Sequence, residues 1–142
     1  MLTLEQSNRI IDGALAKARA LGAKPLAVII LDAGGHPVSF QREDGASLFR
    51  FDIARAKAMG ALGMGADTRD IAARAAANAP FFTSVVVATG GNLALAPGGV
   101  LVRNVDGQIV GAIGISGDTG DCDEQCASAG IEAAGLSHGA NS

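Results

Sequence analysis

Tryptophan and tyrosine are absent from these 142 residues, and phenylalanine occurs only five times. A core without large aromatics must be filled by Ala, Val, Leu and Ile packed closely, with 20 glycines allowing short approaches between elements. Positive charge is also scarce: 11 Lys and Arg stand against 14 Asp and Glu, for a net charge of -3. With so few aromatics, that balance excludes the basic stripe of a nucleic-acid binder. No apolar run approaches the ~20 residues of a membrane span, and the polar N-terminus lacks a signal peptide's pattern. The expectation is a cytoplasmic protein without a membrane partner. Two cysteines, Cys122 and Cys126, are too few for a disulfide scaffold. At i, i+4 on a helix they match neither a zinc-finger nor a thioredoxin motif, so they read as small buried residues and no metal site is expected.

What is present is organised around residues 98–124, GGVLVRNVDGQIVGAIGISGDTGDCDE. Two β-branched runs joined by Asp106-Gly107 read as a hairpin, because that dipeptide supplies the positive φ of a tight turn. Gly111 and Gly114 leave the returning strand bare where another backbone or a ligand can approach closely. The loop 116–120 then leads into a helix that Asp121 can cap, with Glu124 three residues later.

Elsewhere, Thr3 and Gln6 form a capping box opening a helix whose apolar positions are Leu4, Ile11, Ala14, Leu15 and Ala18, with Gly22 as C-cap. Residues 26–32 form an apolar strand, 33–36 a connection, and Val38 and Phe40 alternate in the return strand. Ser47 can cap a second helix over residues 48–64. Asp67 or Thr68 caps a third, which Asn78-Ala79-Pro80 stops. Residues 81–89 read equally as helix or strand, and 92–96 as a short edge strand. The last helix spans 121–134, with Cys122, Cys126, Ala129 and Ala133 on one side, and the tail from Ser137 is expected to fray. The order is α-β-β-α-α-(β)-β-β-α in one domain over residues 1–142, an α+β antiparallel sheet flanked by helices. Low charge in so short a chain further implies that a second copy covers part of the surface, as a homo-oligomer.

Candidate chemistry falls in three places. In the glycine-rich loop, Ser116, Asp118, Thr119 and Glu124 could simply build turn and cap, wall a ligand pocket or hold a cation; the crowded carboxylates oppose phosphate, and the spacing fits neither a P-loop nor an EF-hand. Arg42, Glu43 and Asp44 precede Arg50 and Lys57, which share a helix face. Lys57, on a semi-apolar stripe, could clamp a carboxylate or act as a base, with Glu43 or Asp44 completing the acid–base set; the plainer reading is a snorkelling lysine paired with a nearby acid. His36, in the first hairpin, could ligate a metal or heme iron, or be a solvated turn residue.

Three segments also resemble a known family: Asp32-Ala-Gly-Gly-His36, Asp52-Ile-Ala-Arg-Ala-Lys57-Ala, and Gly98-Gly-Val with Gly111-Ala-Ile-Gly-Ile-Ser-Gly-Asp118-Thr and Asp123-Glu124. In this order and spacing they look like the GlcG/HbpS-like family, over most of the chain. The resemblance implies a profilin-like sandwich that forms homo-oligomers. Some relatives bind heme, and a similar domain ends PduO-type cobalamin adenosyltransferases. It places no heme ligand on this chain, and the first helix, without His, Cys or Tyr, offers none.

Three functions follow from this. The first is an oligomeric accessory protein holding heme, a related tetrapyrrole or a small organic acid. The second is a lyase, isomerase or hydrolase of short or ring-cleavage organic acids, built on Lys57 and nearby carboxylates. The third is a purely structural role in a larger assembly.

Overall fold

A computed structural model describes residues 1–139. The elements in chain order are α1 (Leu4–Leu21), β1 (Ala27–Asp32), β2 (Pro37–Arg42), α2 (Arg50–Met64), α3 (Thr68–Ala77), α4 (Ala79–Ala88), β3 (Gly99–Arg103), β4 (Ile109–Ser116) and α5 (Gly120–Ala133). The strands form one antiparallel sheet in the order β2-β1-β4-β3. The α+β architecture expected from the sequence is the one observed.

Period-2 alternation sorts the strand residues between two layers. Val28, Ile30, Val100, Val102, Ile113 and Ile115 face α1 and α5, where Ile10, Ile11, Ala14, Cys126 and Ile131 meet them. Ala27, Ile29, Leu31, Leu101 and Ala112 face α2, which answers with Ala54, Ala58 and Ala61. Each large aliphatic side chain fully buried here contributes about 1.5–3 kcal/mol. Because the α2 side chains at the centre of this face are alanines, its backbone comes very close to the sheet. A Cβ on Gly114 would fall 1.9 Å from the Ala54 carbonyl oxygen, so the bare strand position marks a helix pressed onto it.

The local signals of α1 hold. Thr3 Oγ1 accepts from Gln6 N, Gln6 closes the capping box, and Gly22 ends the helix with φ 67°. The inward face is Ser7, Ile10, Ile11, Ala14 and Ala18, while Leu4 stays exposed. Other expectations are corrected. Ser47 does not cap α2, which begins three residues on after Phe49 with no side-chain cap. Thr119, not Asp121, caps α5 by accepting from Cys122 N. On α5 the buried face is Asp123, Cys126, Ala127, Gly130 and Ile131, turned away from Ala129 and Ala133 by the close packing of Gly130 against α1. Residues 81–89 are helical: Pro80 stands in the first turn of α4, where its missing N–H costs nothing, and Phe82 anchors the helix against Ile71, Ala75 and Leu93.

Residues 92–96 form no strand, because the outer edge of β3 is occupied. Thr68 Oγ1 accepts from Gly99 N at 2.8 Å, and Asp67 Oδ1 accepts from Leu101 N at 2.9 Å. Arg103 exchanges both backbone hydrogen bonds with Ser137. The tail is therefore tied down at Ser137, and residues 140–142 of the expected frayed tail lie outside the described residues. The opposite edge, β2, starts at Pro37, and its register with β1 slips between Ile30 and Leu31, leaving Val38 as a bulge. No helix among the described residues is long and apolar enough to cross a membrane.

Candidate functional site

Lys57 projects from α2 into the layer between helix and sheet, and its side chain is only 4% exposed. The ammonium donates to the Ile115 carbonyl at 2.9 Å and to Asp123 Oδ2 at 3.1 Å. Gly98, with φ 126°, lies directly against Nζ, where a Cβ would fall 2.8 Å away. Asp123 Oδ1 accepts the Asp118 N–H at 3.1 Å, so both carboxylate oxygens are used. Burial pushes the Lys57 amine down and the Asp123 carboxyl up, and the charge of each draws the other back. The pair binds α2, β4 and the first turn of α5 together.

The loop around it is spent on the fold. Arg50 Nη1 donates to Ser116 Oγ at 3.2 Å. Asp118 accepts from the backbone of Lys24 at 2.8 Å and of Thr119 at 2.7 Å, and these bonds hold its carboxyl below the usual range. Arg69 grips Glu124 at 2.8 and 3.0 Å and also Asp121. Glu43 takes Arg19 at 3.1 Å and the Leu26 N–H at 2.9 Å. Together with Arg42 and Asp44, Glu43 lines a separate open cleft of about 420 Å³. Lys57 is thus bonded to Asp123 and Ile115, not to Glu43 or Asp44.

His36 stands at the far end of β1, in the turn that Gly35 makes with φ 83°. Asp32 Oδ1 accepts the backbone N–H groups of Gly34 and His36 at 2.9 Å each, and also His36 Nδ1 at 3.1 Å. The His36 backbone bond leads in keeping the Asp32 carboxyl below its ordinary value. A carboxylate only accepts, so the ring hydrogen on Nδ1 points at it and the lone pair of the neutral ring falls on Nε2. No protein group among the described residues bonds that nitrogen, and the side chain is 80% exposed. Beside it opens a cleft of about 430 Å³ walled by Met1, Leu2, Ala33, Ile109 and Val110.

The family model described as "Haem degrading protein HbpS-like" matches residues 2–132. This chain belongs to the HbpS-like family. Among solved structures, the PduOC–heme complex is 25% identical with a TM-score of 0.85, covering 95% of this chain and 96% of that one. A double mutant of HbpS from Streptomyces reticuli is 30% identical with a TM-score of 0.77, covering 92% and 85%. The ORFY protein of Klebsiella pneumoniae shares the fold at 22% identity, with a TM-score of 0.84 over 94% and 90%. No curated protein matches the sequence significantly.

In this HbpS-like chain the other soft donors are engaged or inert. Burial lifts the Cys126 thiol to about 12 and also pushes Cys122 up, so both stay protonated thiols, which bind metal poorly. His138 Nε2 is taken by Glu132 at 2.7 Å. No group of three or more His, Cys, Asp or Glu among the described residues could hold a metal ion. Sequence reasoning found Lys57 but missed Asp123 as its partner. The available signal was the lysine's place on an alanine-rich helix, which demands a buried acid from elsewhere.

Proposed function

We propose that this chain is a heme-binding accessory protein that works as a homo-oligomer, with Nε2 of His36 as the iron ligand. The observation that carries the reading is the His36–Asp32 pair beside the apolar cleft. A histidine held by a carboxylate through one nitrogen presents the other to a metal in the right tautomer and orientation. The cleft, about 430 Å³, falls within the range of about 300–1,000 Å³ usual for small-molecule sites. An apolar wall suits a porphyrin face, and one axial nitrogen requires no three-residue cluster. Heme bound there would supply a redox-active iron; the chain's own part is to supply the nitrogen, fix its ring and exclude water from one face. The family and the PduOC–heme complex support the same ligand class. Exposed Leu48, Phe49 and Val87 support burial of surface between copies.

The acid–base enzyme reading draws no support from this geometry, because Lys57 is buried and committed to Asp123. A carboxylate ligand in the Arg42 cleft draws none either. Arg19 already holds Glu43, and two carboxylates offset two guanidiniums.

Titration of the purified protein with hemin, followed at the Soret band, tests the proposal. A saturable, stoichiometric shift whose affinity His36→Ala weakens roughly 100-fold is the expected result. A non-saturating response, or one unchanged by His36→Ala, would overturn it.

A further inference from the structure

A second cleft, of about 260 Å³, lies between α2 and α4. Its floor on α2 is open backbone at Gly63, while the Leu93 side chain lies over Gly60. Gly60 and Gly63 fall on one face of α2 at i, i+3, and a Cβ on Gly63 would meet no atom within 4 Å. Met59 and Met64 flank that face, and Val85 and Leu93 form the opposite wall. At the rim the polar groups are already used. Asn92 accepts from Arg55 at 3.1 Å and donates to the Thr89 carbonyl at 3.0 Å, while the Thr89 hydroxyl donates to Val85 at 2.9 Å. No charged residue occurs anywhere from 75 to 102.

We propose that this cleft binds a small, flat, uncharged aromatic molecule of one or two rings. The open backbone at Gly63 leaves room for a flat ring to lie beside the Leu93 side chain. The two thioethers are polarizable partners that favour aromatic ring edges. With the Asn92 and Thr89 side chains already bonded to protein partners and the walls apolar, a charged ligand would be desolvated with little compensation. Size sets the class further. A cavity of about 150 Å³ takes one benzene ring, so this cleft takes one or two rings and is too small for a tetrapyrrole. The side chains a second copy would grip on α4, Phe81 and Val87, are exposed and lie outside the slot. No residue lines both this cleft and the His36 cleft, although the Met59 thioether also lies against Gly35 in the His36 turn.

The chain carries its own probes. Of its three methionines, Met59 and Met64 line this slot and Met1 lines the His36 cleft. Methyl-labelled methionine spectra recorded during titration with indole are expected to show saturable shifts of Met59 and Met64 with Met1 unmoved. Gly63→Leu fills the slot with a better helix former, so the variant folds, and its indole response should weaken at least tenfold. Four results would each overturn the proposal. They are no saturable shift, a parallel shift of Met1, an unchanged response in Gly63→Leu, and a shift of Met59 and Met64 on dilution alone, which would put a second copy in the slot.

Discussion

Two acid–base pairs of nearly equal length sit in very different places. Lys57 meets Asp123 at 3.1 Å with side chains 4% and 1% exposed, while His36 meets Asp32 at 3.1 Å with side chains 80% and 37% exposed. Burial decides what each can do. In the interior, each charge has lost its water and has the other as its counter-charge beside one backbone group, so removing either leaves a severe deficit. At the surface the carboxylate merely orients a ring whose second nitrogen remains available. The first pair is locked inside the fold, and the second, where we propose that heme binds, leaves a ring nitrogen exposed.

The largest effect that would break this contrast is Lys57→Ala. It should lower stability by about 3–5 kcal/mol in urea titrations, because Asp123 is left buried and unpaired. The joint change Lys57→Met with Asp123→Leu should recover most of that loss. A Lys57→Ala protein as stable as the parent would show that the pair does not hold the fold. Next comes His36→Ala, expected to weaken hemin binding roughly 100-fold, about 2.7 kcal/mol. Its stability should change by less than about 0.5 kcal/mol. Asp32→Asn keeps an oxygen for the backbone but loses the charge, and should weaken hemin roughly tenfold. Equal effects of these two variants on affinity and unfolding would erase the distinction between ligand site and scaffold.

The smallest effect concerns alkaline pH. In the folded protein the Cys126 thiol is raised from 9.0 to about 12, so the unfolded chain gives up that proton first. Stability from this group is whole below pH 9 and is lost as pH rises toward 12, by about 1.4 kcal/mol per unit. Lys57, whose amine is lowered, works in the opposite sense over the alkaline range. Comparison with Cys126→Ala therefore isolates the thiol. Urea denaturation of both proteins on either side of pH 9 should show a steeper fall in the parent.

Local chemistry was readable at α1, where both partners lay within a few residues, but not at the caps expected of Ser47 and Asp121. Thr3, Gln6 and Gly22 define α1 because a cap is a four-residue event. The apolar run of β1 announced burial on both faces for the same reason. What escaped were features fixed by distant neighbours. Val85, Val86 and Val87 favour a strand on their own, yet Phe82 packing on Ile71 and Leu93 makes them helical. The Lys57–Asp123 pair spans 66 positions, so nothing near the lysine names its acid. His36 and Asp32 are close in sequence, but their contact depends on the left-handed turn at Gly35.

The two borders of the sheet bear on how copies of this molecule can join. One border has its amide groups taken by Asp67, Thr68 and Ser137, and the other is interrupted by Pro37 and the kink at Val38. Neither offers a continuous row of free hydrogen-bonding groups as a template. The β3 border is therefore occupied and the β2 border is blunted at one end. An assembly joined by side chains on helices and loops would separate under conditions that weaken apolar contacts while each sheet stays intact.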